Sequence, residues 1–210
     1  MPSEWFHKEG ELAHAPMLIV AVLAVGAAVG QAAGAAQGGA WSLEVTDRLE
    51  RYRIEGRTAR ELREQLKDHG PRSGLEGHGR THSEFQLEYE LVPGQDQCRV
   101  DGRAIRLVIT TTIPEWLPPE RVPEELVEHW RAAEAALVLH ERGHRDHAAA
   151  AGESLAAALS RLPPGSDCKR AWTLVEREFE RAMWKLRQQG IRYDRRTGNG
   201  SRPDPLEQVD

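Results

Sequence analysis

The chain has 210 residues, which is enough for one domain or for two small subdomains, and its 40% apolar content is sufficient for a buried core. Its formal net charge of -5 argues against a dedicated nucleic-acid-binding protein, because such a protein would carry a strongly basic face.

An uncharged apolar run, PMLIVAVLAVGAAVG, lies near the N-terminus at residues 16–30. It is shorter than the roughly 20 residues that span a bilayer, and it is followed by small residues that suit signal cleavage. The run predicts a secretory signal peptide, with a membrane anchor at 17–36 as the alternative, and assigns residues 1–40 to this segment and its linker. The acidic flank before the run fits neither reading, and a buried helix in a cytosolic protein is the competing interpretation.

An export signal implies a periplasmic or extracellular protein, or one tethered to the inner membrane through residues 17–36. The chain has two cysteines, Cys98 and Cys168. In an exported protein an even number favours a disulfide, which here would tie the strand region to the helical region. Two separate buried thiols are the alternative.

Residues 41–113 are predicted to form a small antiparallel β-sheet that carries one helix. Residues 41–47 are expected to form a linker or an edge strand, and residues 51–56 a short strand. The helix that follows has a capping box, in which Thr58 and Glu61 occupy the required positions, and it ends at Gly70.

The rest of the β-rich half is marked by alternation. The segment THSEFQLEYELV, residues 81–92, alternates apolar and polar side chains and predicts a half-buried strand. Asp101 and Gly102 predict a turn, after which a β-branched run predicts a strand at 105–113.

Four prolines between positions 114 and 123 mark the boundary to a helical half, residues 114–200. Periodicity predicts one long helix over 123–161 and a second over 168–189. Residues 41–200 are therefore expected to form a single α+β domain, followed by a flexible tail at 201–210.

The long helix carries one continuous stripe at alternating spacings of four and three residues, which marks a buried helix face. The stripe comprises Leu126, Trp130, Ala133, Leu137, His140, His144, His147 and Ala151. Its first half is apolar and its middle consists of three histidines, so these are expected to point into the protein. Buried polar groups need partners, and histidines that only bond carboxylates or backbone in a core are the competing reading.

His140-Glu141-Arg142-Gly143-His144 matches H-E-x-x-H, the signature of zinc metalloproteases. The four-residue spacing places both imidazoles one turn apart on one face, where they can share a tetrahedral Zn²⁺. Glu141 flanks the metal without binding it, and is placed to act as the general base toward a Zn-activated water. The predicted fold is therefore a small antiparallel sheet with one helix, followed by a long zincin-like active-site helix packed on a second helix.

A catalytic zinc needs a third protein ligand. Glu176 on the second helix is the candidate, since it lies beside that helix's apolar face, and a boundary carboxylate in an ion pair is the alternative reading. His147 lies about 10 Å along the helix from His140, too far to share one ion easily. It is expected to play a supporting or core role.

The chain resembles a family of bacterial predicted secreted zinc-dependent proteases, long catalogued as a domain of unknown function. The shared features are the Y-x-x-x-G-x-T-x-x-E-L pattern beginning at Tyr52, Trp130 before the H-E-x-x-H motif, Cys168, and the closing segment YDRRTGNG. The resemblance covers about residues 49–200. It implies a metallopeptidase-like site with His140 and His144 as ligands and Glu141 as base.

The closing motif departs from the family pattern, which reads Tyr-Asp-x-x-Thr-x-His-Gly. Tyr193, Asp194 and Thr197 match, but Asn199 stands where the family has histidine. If that histidine is the third ligand, this chain lacks it, and Asp194 or Glu176 is left to serve. Tyr193 is a candidate to hydrogen-bond the tetrahedral oxyanion.

The expected function is therefore zinc-dependent hydrolysis of peptide or amide bonds in the bacterial envelope. The substrate would be a protein or peptide, aligned by β-addition to a neighbouring strand such as 105–113. A non-catalytic binding or assembly module of the same fold is the alternative, and Asn199 is its main support. A purely structural helix pair with buried histidines is the third reading.

Overall fold

The structure, a computed structural model, describes residues 41–71 and 78–199 together with one short strand at 19–21. The rest of the predicted export segment at 17–36 and the tail at 201–210 lie outside the described residues. The elements in chain order are β1 (Ile19–Ala21), β2 (Ser42–Ile54), α1 (Ala59–His69), β3 (Arg80–Pro93), β4 (Cys98–Trp116), α2 (Glu124–Leu159) and α3 (Cys168–Thr197). None of the helices in the described ranges combines the length and apolar character that a membrane crossing demands.

The strands form one sheet in the order β1-β3-β4-β2. The predicted α+β class is confirmed, but the sheet is mixed and not purely antiparallel. β3 and β4 form an antiparallel hairpin, whereas β2 pairs in parallel with β4 and β1 in parallel with β3. β4 carries the β-branched run and is the most buried strand, so it takes a position with both edges paired. The path through α1 and β3 supplies the long connection that a parallel β2–β4 pair requires.

The structure joins two predicted segments of the sheet and corrects one predicted turn. The linker or edge strand predicted at 41–47 and the short strand predicted at 51–56 are one continuous edge strand, β2. The predicted turn at Asp101 and Gly102 lies inside β4, where Arg103 is the extra residue of a β-bulge opposite Glu88 and Tyr89. A Cβ atom on Gly102 would lie 2.1 Å from the Trp41 ring, so this glycine provides room for a tryptophan and does not make a turn.

One face of the sheet packs against α2 and α3 and forms the main core. Its members include Trp41, Phe85, Leu87, Tyr89, Ile105, Leu107, Ile109, Leu155, Val175 and Phe179. The other face is polar: Arg106 forms ion pairs with Glu44 and Glu88, and thus links all three long strands. α2 and α3 therefore cover one side of the sheet, as expected for an α+β domain.

A second, smaller core joins α1 to the start of α2. Leu62 and Leu66 of α1 pack in one cluster with Trp116 and Trp130, whose rings meet edge to face at 5.7 Å. The predicted cap is confirmed, because Thr58 Oγ1 accepts a hydrogen bond of 3.2 Å from the Glu61 N–H. This cluster anchors the N-terminal end of α2.

The predicted disulfide is confirmed: Cys98, the first residue of β4, is bonded to Cys168, the first residue of α3. The same point is reinforced by two backbone hydrogen bonds of 2.8 Å between Cys98 and Gly165. A crosslink across this sequence separation of 70 residues restricts the unfolded chain, which is worth on the order of 4 kcal/mol. The bond fixes the start of α3 against the sheet.

The last helix is longer than predicted. α2 runs close to its expected bounds, but α3 continues past residue 189 to Thr197 and includes Gly190. A glycine in a helix interior costs about 1 kcal/mol relative to alanine. Here the extra two turns bring Tyr193 and Asp194 against α2, and these contacts offset that cost.

Two buried tyrosines give opposite predictions for stability. Tyr89 Oη is buried without a hydrogen-bond partner among the described residues, whereas Tyr52 Oη donates to the His78 carbonyl oxygen at 2.6 Å. Tyr89→Phe is therefore expected to raise the free energy of unfolding by about 1 kcal/mol, and Tyr52→Phe to lower it by about 1 kcal/mol. Chemical denaturation of the two variants checks this, and equal signs for both would contradict it.

Candidate metal centre

The histidines of the H-E-x-x-H motif lie on the inward side of α2, as the stripe predicts. His140 is 6% exposed and Glu141 3%, and these are the two buried polar residues of the described chain. His144 is partly buried, and it faces the last two turns of α3. The site therefore lies between α2 and α3, and it brings together His144 and Asp194, which are 50 positions apart along the chain.

Three donor atoms converge at this point: His140 Nε2, His144 Nε2 and Asp194 Oδ1. The two nitrogens are 3.2 Å apart, and Asp194 Oδ1 lies 2.7 Å from His144 Nε2 and 3.3 Å from His140 Nε2. Ligands about 2.0–2.1 Å from a tetrahedral Zn²⁺ are about 3.3 Å from one another. The spacing and the two-imidazole, one-carboxylate donor set thus fit zinc.

Thr197 holds the outer side of His140. The Thr197 hydroxyl donates to the Tyr193 carbonyl oxygen at 2.9 Å, so its oxygen is left to accept from the Nδ1–H of His140 at 3.0 Å. That bond selects the tautomer whose Nε2 carries a lone pair toward His144 and Asp194. Burial and the neighbouring His144 also lower the pKa of His140, which keeps the ring neutral as metal binding requires.

Glu141 lies beside the donors but does not join them. Its carboxylate accepts a 2.7 Å hydrogen bond from Thr81 Oγ1 at the start of β3. Burial raises the pKa of Glu141, and the Thr81 bond partly opposes that rise. A Cβ atom on Gly79 would lie 2.8 Å from Glu141 Oε1, so the chain before β3 also closes on this carboxylate. The site therefore contains a confined, oriented carboxylate.

Tyr193 packs among the three histidines. Its ring stacks on His140 at 5.0 Å with an interplanar angle of 17°, and meets His144 and His147 edge-on. Its hydroxyl lies against Gly143, where a Cβ would be 2.2 Å from Tyr193 Oη. Gly143 therefore makes room for this ring.

The structure does not bring Glu176, the predicted third ligand, to the histidines. Glu176 lies 18 residues before Asp194 on the same helix, which corresponds to about 27 Å of α-helix. Glu176 lies near Tyr89. Burial, together with the negative charge of Glu176, raises the pKa of Tyr89 to about 12. The carboxylate that takes the expected third position is that of Asp194.

His147 and Asn199 flank the centre without joining the three donors. His147 contacts the Tyr193 ring, its Nδ1 is buried without a hydrogen-bond partner in the described ranges, and burial lowers its pKa. Asn199 follows the C-cap of α3 in the left-handed region, and its N–H bonds the Asp194 carbonyl oxygen at 3.0 Å. Position 199 therefore helps to close the helix turn that carries Asp194.

Sequence reasoning missed two residues that orient this site. Thr81 shares the inward face of β3 with Phe85, so the alternation of that strand could have identified it. Thr197 matches the closing family motif, but its bond to His140 was not predicted, because the second helix was expected to end before it. Both hydroxyls bond groups of the H-E-x-x-H motif, and both come from elements other than α2.

Gly143→Ala is expected to destabilise the fold by about 1–3 kcal/mol, because the new methyl group collides with the Tyr193 ring. In a Tyr193→Ala background the same change is expected to stabilise by up to about 1 kcal/mol, since alanine is the better helix former. Denaturant titration of the four members of this cycle measures the change of sign. A Gly143→Ala effect that is equal in both backgrounds would contradict the contact.

The fold and the site define an α+β protein with a candidate His-His-Asp metal centre between two long helices. Residues 49–200 match the model of a family described as "Bacterial protein of unknown function (DUF922)". This match covers well over half of the chain, and the protein belongs to that family. No curated protein and no solved structure matches the chain.

Proposed function

We propose that the protein is a zinc-dependent hydrolase of peptide or amide bonds that acts in the bacterial envelope. The observation that carries this proposal is the convergence of His140 Nε2, His144 Nε2 and Asp194 Oδ1 next to the buried carboxylate of Glu141. Two imidazoles, one carboxylate and a separate carboxylate base are the parts that a metal-assisted hydrolase needs.

A bound Zn²⁺ would supply Lewis acidity toward a carbonyl group and toward water. The chain's own residues supply the proton transfer and the orientation. Glu141 accepts a proton from the attacking water and returns it to the leaving amine. Thr81 directs that carboxylate, and Thr197 directs the ring of His140. The ring of Tyr193 supports His140 by stacking, and its hydroxyl is a candidate oxyanion donor once substrate is bound.

An extended substrate would add to β3 and not to β4. The strand first considered for this role, 105–113, is part of β4, whose two edges are taken by β2 and β3. β3 pairs with β1 only at Leu87–Tyr89, so within the described residues its outer edge is unpaired at 80–86. That segment includes Thr81, which bonds the base. A peptide adding there would lie alongside Glu141.

The envelope location is supported by the disulfide. Disulfides persist in oxidising compartments such as the periplasm or the extracellular space, and are rare in the cytosol. The apolar segment at 17–36 would deliver the chain there, either as a signal peptide or as a tether to the inner membrane. In either role residues 19–21 would leave the sheet, and the outer edge of β3 would then be unpaired at 87–89 as well.

The test combines metal analysis with hydrolysis. Chain purified without a histidine tag and equilibrated with Zn²⁺ is expected to retain close to one ion, and His140→Ala to retain none. A chelator should abolish hydrolysis of an unfolded, fluorescently labelled protein substrate, and added Zn²⁺ should restore it. Wild-type chain that binds no zinc would overturn the proposal. Zinc binding without hydrolysis of any peptide or amide substrate would favour the non-catalytic module.

A further inference from the structure

The outer edge of β2 is open. β2 is the last strand in the sheet order, and in the part of the chain that the structure describes nothing pairs with its free side. The strand is 13 residues long, SLEVTDRLERYRI, and most of it is exposed. It contains no proline and no bulge, two of the devices that stop an edge strand from adding another strand. It does carry charged side chains, so what it can pair with depends on how those charges are arranged.

Apolar side chains are exposed along this edge. Leu49 is 60% exposed and Val45 39% exposed, and both lie on the helix-facing side of β2. Val138 of α2 is 44% exposed. It lies one turn after Glu134, which binds Arg51 of β2. Exposed apolar side chains on this edge add hydrophobic area to any strand that pairs with it.

Two ion pairs hold β2 straight against α2. Arg145 binds Asp47 at 2.8 Å, and Arg51 binds Glu134 at 3.3 Å. These pairs lie on either side of Leu49 along the strand. The central part of the edge is therefore fixed in an extended form, with charges of defined position.

The charges around Leu49 are self-complementary. A two-fold axis perpendicular to the sheet through Leu49 makes two copies of β2 antiparallel and places each leucine opposite its counterpart. Arg48 then faces the partner's Glu50, and Asp47 faces the partner's Arg51. Symmetry doubles both pairs, so four ion pairs surround an apolar centre.

The neighbouring registers are disfavoured by the same charges. Residues that oppose each other in a sheet have their side chains on the same face. The two-fold axis must therefore pass through a residue and not between two residues. Moving the axis to residue 48 sets Arg48 against the partner's Arg48, and moving it to residue 50 sets Glu50 against the partner's Glu50. Like charges directly opposite each other destabilise a strand pair. The sequence thus specifies one register among the adjacent ones.

We propose that two copies of this chain associate through their β2 edges, with Leu49 on the two-fold axis, to form a continuous sheet across the dimer. The interface buries Leu49 and Val45. Because Asp47 faces the partner's Arg51, the pair Arg145–Asp47 of one copy lies next to the pair Arg51–Glu134 of the other, with opposite charges adjacent across the interface. It leaves the 80–86 edge of β3 free, because β3 and β2 lie on opposite sides of β4. The inference does not depend on the proposed hydrolysis.

Charge reversal of the full-length chain tests the register. Arg48→Glu and Glu50→Arg each replace two attractive pairs by two repulsive ones, and each is expected to raise the dimer dissociation constant about tenfold or more. A mixture of the two variants restores both pairs and should give a heterodimer of wild-type affinity. The double variant Arg48→Glu/Glu50→Arg should also dimerise normally. Sedimentation velocity over a concentration series measures all of these.

Two exposed residues of α3 provide matched controls: Arg187→Glu and Glu180→Arg should leave dissociation unchanged. A wild-type chain that stays monomeric would overturn the proposal. So would dimers that tolerate both single reversals, because another surface would then form them.

Cysteine crosslinking tests the axis directly. Leu49→Cys should give a covalent dimer on a non-reducing gel, because the two copies of position 49 face each other. Val45→Cys is the control, since it faces the partner's Arg53 and should not link to itself. Linking of Val45→Cys in preference to Leu49→Cys would show that the register is wrong.

Discussion

Glu141→Gln is expected to lower the rate of peptide hydrolysis by roughly 10²–10⁴-fold while the chain keeps its zinc. The carboxylate is not among the three converging donors, so its loss leaves the metal ligands intact. Glutamine has nearly the same shape and retains an oxygen that can accept the Thr81 hydrogen bond, but it cannot take a proton from water. Zinc content and turnover of the labelled substrate, measured on the same preparation, separate the two effects.

The same variant should fold at least as well as wild type. Burial raises the pKa of Glu141, which means that the folded protein disfavours its charged form, and a neutral amide avoids that penalty. Glu128→Gln removes an exposed carboxylate from the same helix and serves as the control, with unchanged turnover. Hydrolysis that survives Glu141→Gln would assign the proton transfer to another group and remove the argument for a catalytic H-E-x-x-H motif.

The relative positions of His140, Glu141 and His144 could be predicted because their arrangement is local. Residues four apart on a helix share a face whatever surrounds them, so the stripe through His140 and His144 sets their geometry before any tertiary contact is known. The heptad register also predicted that both point inward, and the structure confirms that His140 is buried and His144 partly so.

The third donor could not be predicted with the same certainty, because it depends on where a distant helix ends and packs. Gly190 and the Arg- and Gly-rich composition after it suggested that α3 stops before Tyr193. Packing against α2 outweighs the weak helix propensity of one glycine, and Asp194 and Thr197 therefore face the histidines from within the helix. Local sequence does not show whether packing against α2 outweighs the weak helix propensity of Gly190.

The sheet likewise has features that could be predicted from the sequence and features that could not. The alternation at 81–92 predicted β3 almost to its ends, because a half-buried strand has a clear period. The parallel pairing of β2 with β4 was missed, since partner choice depends on which strand needs both edges covered. Gly102 was misread as a turn because its signal is the absence of a side chain, which serves equally to admit Trp41.

Asp194→Asn is expected to weaken zinc binding by at least about 100-fold, whereas Glu176→Gln leaves it unchanged. The argument rests on geometry: Asp194 Oδ1 is within 3.3 Å of both Nε2 atoms, and Glu176 lies about 27 Å away along α3. Asparagine keeps the size of the side chain but replaces an anionic donor by a neutral amide, which zinc rarely accepts. Competition with a chromophoric chelator gives both affinities.

Asp194→Asn and Asn199→His together decide whether the chain can bind zinc without a histidine at position 199. If Asp194 is the third ligand, the chain holds its metal without a histidine at position 199, and Asn199→His adds little affinity. If Asp194→Asn binds zinc as wild type does and Asn199→His binds it much more tightly, position 199 and not Asp194 faces the metal. In that case the two histidines of α2 lack a native third ligand, and the non-catalytic module becomes the better account of this protein.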